Sequence, residues 1–334
     1  MAYEKISLSI MDILKSSGPL ITGTDIRAQL VASGMGASER TVRYHLNLLV
    51  KDRKLHRIGK KGYQITEEGL LELDSSNLMR KSGFLTARIN RLVYAMNFNP
   101  AVNTGTVIVN LTLVKAPVLK KYLYLIQKVF EKGLAMGELL ALIPDGEKIG
   151  ENAVPSGMIG VITVCSMTLN GILLRQGVPA YPRFAGLLEI RNNNPTGFTD
   201  FIMYSGNSLD PLELFIRSGM TDYTGAVTSG CGRIGAGFRE FPAESLNTVQ
   251  SAVRALENSR LCGMVKIGSP VQALLRIPVS EGSIGTVVAG GINPAAIFAE
   301  HGVKIFSRAM AGIFDYSGLF HYSELSDRLR SFRA

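Results

Sequence analysis

Between residues 38 and 46 the chain reads SERTVRYHL, in which two arginines, a histidine, a tyrosine and two small hydroxyls interleave with two well-spaced aliphatic residues. The planar fork of arginine meets two acceptors on a guanine edge at once, which makes such a stretch suited to reading duplex bases. Residues 38–61 hold eight basic and two acidic residues, so the excess positive charge of a chain with net charge +9 is concentrated there. A charge run can equally be a solvated helix face or a protein-contact surface. What favours a polyanion partner is the order of the elements around it.

Ile6, Ile10, Ile13 and Leu14 recur at helical steps, and Gly18-Pro19 stops that helix. Thr22 or Thr24 caps a second helix, which carries Ile26, Leu30 and Val31 and ends at Gly34. Ser38 caps a third, whose buried stripe is Val42, Leu46, Leu49 and Val50, leaving Arg40, Thr41, Arg43, Tyr44 and Asn47 on its other faces. LHRIGKKGYQIT (55–66) reads as two short strands around a basic tip. Helix, helix, helix and basic hairpin make a winged helix-turn-helix, with the third helix sized for the DNA major groove and the wing lysines placed to neutralise phosphates. The candidate contacts to double-stranded DNA are Ser38, Arg40, Thr41, Arg43, Tyr44, Asn47, Arg57, Lys60 and Lys61. His45 and His56 are expected as helix-surface and strand residues, since no acidic or cysteine cluster lies near them.

Residues 70–84 read as a helix followed by a boundary at Ser82-Gly83, which divides the chain into a winged-helix domain over 1–82 and a second domain over 83–334. Beyond the boundary the chain turns glycine-rich and alternates strand and helix signals, the pattern of a mixed α/β domain. Strands are expected at 104–114, 159–165 and 171–174, and helices at 116–133, opened by Pro117 and closed by Gly133, and at 244–258. FIMYSGNSLDPLELFIRSGM (201–220) echoes TVVAGGINPAAIFAEHGV (286–303), each an apolar strand, a Gly-Asn loop and a proline-opened helix, which implies an internal duplication.

These loops offer anion capture, because a helix start presents free N–H groups and the positive end of the dipole. Asp210-Pro211 and Asn293-Pro294 are read as capped helix starts, and Asn207 and Asn293 as loop donors. Such starts are also common in any α/β fold. GCGRIG (230–235) matches GxGxxG, but FREFP follows it and reads extended, so a dinucleotide site is rejected. Its loop remains a possible backbone nest with Arg239 reaching a carboxylate or phosphate. Arg183, between Pro182 and an apolar strand, is either paired to an acid such as Glu189 or aimed into a pocket. Cys165, in a β-branched run, reads by default as a buried, inert thiol.

Other function classes are disfavoured. Three cysteines without CxxC spacing argue against a disulfide framework or zinc ribbon and fit a reducing, cytoplasmic interior. No signal peptide is legible at the N-terminus, and the uncharged stretch 152–174 is broken by Pro155, Gly157 and Gly160, which favours two buried strands over a membrane span. No catalytic constellation or metal cluster appears, so an enzyme is not expected and no cofactor is assigned. His301 sits at a helix end and His321 beside no recognisable partner.

A winged helix followed by PRFAGLLEI (182–190), GAGFREFPA (235–243) and GGINPAAIFAEHG (290–302) resembles the NrpR family of archaeal nitrogen-regulatory transcriptional repressors, over about residues 3–325. The resemblance implies a repressor of nitrogen-assimilation genes that binds palindromic operators as a homodimer and is released by 2-oxoglutarate. It also implies that Cys165 is the effector-responsive cysteine, so the effector candidates are Cys165, Arg183, Asn207, Arg239 and Asn293. Some members carry two effector domains. This chain has length for one, which implies a possible second NrpR-type subunit. Two alternatives stand beside this reading: a metabolic enzyme binding a phosphorylated substrate, and an adaptor acting through a partner repressor.

Overall fold

The apolar stripes of the first eighty residues converge on a small core. In the computed structural model, which describes residues 2–16, 20–33, 36–59, 61–73 and 84–331, the chain divides into two compact units, Met1–Ser82 and Gly83–Ala334. The first runs α1 (Ala2–Ser16), α2 (Gly23–Ala32), α3 (Glu39–Lys51), β1 (Leu55–Ile58), β2 (Gly62–Ile65) and α4 (67–73). Ile10, Met11 and Leu14 of α1 meet Ile26 and Leu30 of α2 and Val42, Leu46 and Leu49 of α3. Val31, expected beside them, is exposed. The caps form as read: Thr22 Oγ1 accepts from the Asp25 amide at 3.3 Å and Ser38 Oγ from the Thr41 amide at 3.1 Å. The hairpin of β1 and β2 is tied down by Tyr63, whose amide donates to the Ile21 carbonyl at 2.9 Å. Gly62 permits this approach, because it takes φ +133° and a Cβ there would lie 2.4 Å from the Ile21 oxygen. The expected breaks at Gly18-Pro19, Gly34 and Ser82-Gly83 lie outside the described residues.

His45 is not a surface residue. It is three residues after Val42 and four before Leu49, so it falls on the inward stripe, is 2% exposed, and its Nδ1 lies 2.8 Å from Ser7 Oγ. Burial pushes its imidazole pKa down.

The second unit opens with α5 (Phe84–Ala95) and then builds the same motif twice. The first copy is β3 (Thr106–Val114), α6 (Ala116–Glu131), β4 (Leu139–Ile143), a small hairpin of β5 (Lys148–Ile149) and β6 (Asn152–Ala153), β7 (Ile159–Val164), α7 (Met167–Arg175) and β8 (Tyr181–Arg191). An insertion follows: β9 (Asn194–Met203), α8 (Pro211–Arg217) and α9 (Tyr223–Thr228). The second copy is β10 (Gly232–Pro242), α10 (Leu246–Asn258), β11 (Met264–Ile267), β12 (Ser283–Ala289), α11 (Ala296–Glu300) and β13 (Phe306–Asp315), closed by β14 (Phe320–His321) and α12 (Leu325–Ser331).

Among the described residues the strands form two five-stranded antiparallel sheets, in the orders β13-β3-β7-β4-β14 and β11-β12-β10-β8-β9. Each copy therefore gives its last strand to the other's sheet: β8 pairs with β10, and β13 with β3. The junctions match bond for bond. The Cys165 amide donates to the Ile108 carbonyl at 2.8 Å and the Gly290 amide to the Gly235 carbonyl at 2.9 Å. Thr168 Oγ1 donates to the Ile108 oxygen as Asn293 Nδ2 does to the Gly235 oxygen.

The duplication is thus real, but its register is GVITVCSMTLNGILLRQGV (160–178) against GTVVAGGINPAAIFAEHGV (285–303). The 201–220 echo belongs to the insertion and shares only turn chemistry. Residues 171–174 are helical, not a strand, because β7 ends at Val164 and the chain turns directly into α7. Asp210 caps α8, accepting from the Leu212 amide at 2.9 Å, whereas Asn293 caps nothing and spends its amide on the Leu134 and Gly235 carbonyls.

The seam between the copies tolerates no side chain at Gly291, where a Cβ would lie 1.8 Å from the Val164 carbonyl oxygen. Gly291→Ala is expected to destabilise the second unit by roughly 2 kcal/mol or more. Thermal unfolding checks this, and an unchanged melting temperature would contradict the packing described.

Candidate functional site

The outward faces of α3 present Arg40, Arg43, Tyr44 and Asn47, all exposed, with Ser38 at its exposed start and Thr41 half-buried beside the cap. Glu39 holds Arg43 at 2.6 Å, one turn away, and both side chains are about 70% exposed. Such a pair contributes little in water, so Arg43 can exchange it for a base edge or phosphate at small cost. A cleft of about 440 Å³ opens between α3, the start of α2 and the wing, and it brings Arg43, Asn47 and Arg57 together with Thr22 and Thr24. Arg40, Tyr44 and Lys61 stand outside that lining, Arg40 and Tyr44 on α3 and Lys61 exposed on the wing. Lys60 lies outside the described residues. Thr22 enters the site through the cap it provides and Thr24 from the first turn of the helix that it caps.

The residues singled out in the second unit do not converge on one open site. Arg183 pairs with Glu240 at 2.6 Å and also donates to Ser280 Oγ at 2.9 Å, so its acid is Glu240 and not Glu189, which pairs with Arg191. Asn207 donates to the Met203 carbonyl in the loop after β9. Asn293 is fully buried at the seam. Arg239 lies inside β10, 1% exposed, and donates to the Ser166 carbonyl at 2.9 Å, to Ser166 Oγ at 3.2 Å and to Asn170 Oδ1. It therefore reaches neutral oxygens of α7 and its N-terminal turn, and burial pushes its pKa down.

Cys165 is close enough to Arg239 and Tyr204 for their charges to interact. Burial pushes its thiol up to about 12, which keeps it protonated at neutral pH. A void of about 10 Å³, lined in part by Asn110, Cys165, Tyr204 and Asp210, has room for about one water.

Acids and arginines that the sequence reading did not connect surround this core. Asp210 and Glu213 of the α8 start are both buried, and burial raises both carboxyl groups, Glu213 to about 7. Glu213 Oε1 accepts from the Ala309 amide at 2.6 Å. Arg88 of α5 and Arg308 of β13 lie within electrostatic reach of both acids. The signal that could have found Arg308 is the repeat in its correct register, which matches it to Arg183.

The fold and this arrangement define a winged-helix protein whose first unit is followed by a duplicated α/β domain. Residues 83–321 match the family model described as NrpR regulatory domains NRD1 and 2, and residues 8–73 match the ribonuclease R winged-helix domain. The chain belongs to the NrpR family. It is 29% identical over 313 residues to the global nitrogen regulator NrpRI of Methanosarcina mazei, covering 94% of this chain and 96% of that one. It is 31% identical to the global nitrogen regulator NrpR of Methanocaldococcus jannaschii over 88% of this chain, but spans 51% of that relative's length. A crystal structure of a nitrogen repressor-like protein from Methanococcus jannaschii superposes with a TM-score of 0.61 at 27% identity, covering 72% of this chain and 98% of that one.

Arg43→Ala is expected to cost roughly 1–3 kcal/mol on a specific duplex and to relax sequence preference, whereas Lys61→Ala weakens all duplexes alike and lowers the salt slope by about one. Binding titrations on specific and random duplexes decide, and equal loss on both for Arg43→Ala would contradict base reading. In the second unit, the folded protein holds the Glu213 proton more tightly than the unfolded chain does. Its contribution to stability is therefore full below the ordinary carboxylate value of 4.5 and lost as pH rises through about 7. Glu213→Gln should flatten the fall in stability between those pH values, read from denaturant melts. An unchanged slope would contradict a neutral Glu213.

Proposed function

We propose that this chain is a transcriptional repressor of nitrogen-assimilation genes, that it binds palindromic operator DNA as a homodimer, and that 2-oxoglutarate releases it. The observation that carries the reading is the cleft that gathers Arg43, Asn47 and Arg57, beside a helix whose Val42, Leu46 and Leu49 are buried in the unit's own core. Membership of a family whose curated relatives are named global nitrogen regulators supplies the physiological context.

Two copies are required by the geometry of operators. A single recognition helix covers one half-site, and half-sites recur about 34 Å apart or at multiples of that spacing. Release then needs a ligand that prefers a conformation in which the two helices no longer match that spacing. Coupling of about 1.4 kcal/mol is enough for a tenfold loss of affinity. The chain spans nearly the whole of the Methanosarcina mazei relative but about half of the Methanocaldococcus jannaschii relative.

A gel shift on the promoter of its own gene tests the reading. Without effector, binding is expected with an affinity on the order of 10⁻⁸ M or tighter at physiological salt. Millimolar 2-oxoglutarate should abolish the shifted band. A band unaffected by 2-oxoglutarate, or none at any protein concentration, would overturn the proposal.

A further inference from the structure

Two acids lie among the basic residues 38–61: Asp52 closes α3 and Glu39 opens it. Glu39 is also the one carboxylate among the described residues that line the cleft, which it shares with Arg43, Asn47 and Arg57. A carboxylate turned toward a polyanion repels its phosphates. Unit charges roughly 6 Å apart in water lower the affinity for a duplex of any sequence by about threefold. The helix dipole accounts for an acid in the first turn, but not for one that faces the cleft.

Glu39, Arg43 and Asn47 follow one another at four-residue steps, so they form one row along α3 with a rise of about 6 Å per step, and all three line the cleft. Arg43 Nη2 donates to Glu39 Oε1 at 2.6 Å, and both side chains are about 70% exposed. This bond uses one of the five guanidinium donors and one of the two carboxylate oxygens. What the linked pair offers a ligand is therefore donors and an acceptor side by side.

We propose that Glu39 is a specificity-determining residue. With Arg43 it reads one G·C base pair in the major groove, the guanidinium donating to guanine O6 and N7 and the carboxylate accepting from the cytosine N4 amine. The assignment deepens the DNA-binding reading above and rests on it.

The base-pair edge matches the side-chain edge. Across the major groove a G·C pair presents two acceptors and then a donor, whereas an A·T pair presents acceptor, donor, acceptor and a methyl group. Donors followed by an acceptor complement the first pattern. On the second, the Glu39 oxygen would meet thymine O4, acceptor against acceptor. Glu39 lies one turn nearer the start of α3 than Arg43, which also fixes the side on which the cytosine must stand and separates G·C from C·G. The repulsion that Glu39 exerts on every duplex is offset only where that amine is present. Discrimination rises because the wrong duplexes are weakened, not because the right one is gripped harder.

Binding titrations of the full chain on duplexes from the promoter of its own gene test the proposal. Arg43→Ala first locates the base pair, as the one whose replacement the variant no longer feels. There the cytosine is exchanged for 2-pyrimidinone, which lacks the N4 amine and keeps the rest of the ring. Wild type is compared with Glu39→Ala and, as a control of equal charge change at an exposed residue of α4, Glu68→Ala. The exchange is expected to weaken wild type and Glu68→Ala at least about fivefold and to leave Glu39→Ala unchanged. Equal loss in wild type and Glu39→Ala, which is what a merely helix-stabilising acid predicts, overturns the role of Glu39. So does a wild type indifferent to the exchange, a result that needs no variant to fold, or an Arg43→Ala variant that keeps every base preference. These outcomes leave the repressor reading standing. Wild type that binds promoter and random duplexes equally overturns both.

Discussion

The inward stripe of α3 is the constraint on which the rest of the winged-helix unit depends. Burying Val42, Leu46 and Leu49, each worth roughly 1.5–3 kcal/mol, fixes the rotation of the helix about its axis. Once those three point inward, the 100° step leaves Arg40, Arg43, Tyr44 and Asn47 no place but outside. The same stripe draws His45 inward, where its ring keeps a hydroxyl partner and stays neutral. Chemistry and packing are thus settled by one choice of face. The wing follows from it, because the Tyr63 contact to Ile21 sets Arg57 across the cleft from α3.

The second unit is held by a different device. Two copies of one motif exchange their final strands, so neither sheet is complete without the other copy. The junctions are polar and buried: Asn110 bonds the Val164 carbonyl and the Met310 amide, and Arg239 of the second copy bonds Ser166 and Asn170 of the first. Groups of this kind are costly unless every partner is in place, which makes the seam sensitive to small displacements.

Much of the first unit was legible because its signals are local. Ser38, the apolar spacing and the glycines of the wing all act within a few residues. His45 escapes a reading by polarity, because its place on the helical wheel, not its imidazole, puts it inside. The second unit was legible in type and partly in register. Pro117, the strand expected at 104–114, which forms over Thr106–Val114, and the Asp210 cap are local signals. The stretch 171–174 was misassigned because a run of aliphatic residues after a glycine fits a buried helix as well as a strand. Arg183 found Glu240, not Glu189, because the strand exchange brings distant residues side by side, and periodicity carries no record of it. The proximity of Arg88 and Arg308 escaped for the same reason: the two are more than two hundred residues apart in the chain.

Hydrogen exchange of the full chain, with and without a duplex carrying its own promoter, tests the central claim most directly. The account predicts added protection at the start of α3, at the Thr22–Thr24 turn and at Arg57 and Lys61 of the wing. Protection confined to residues 84–331, with the winged helix unchanged, would contradict it.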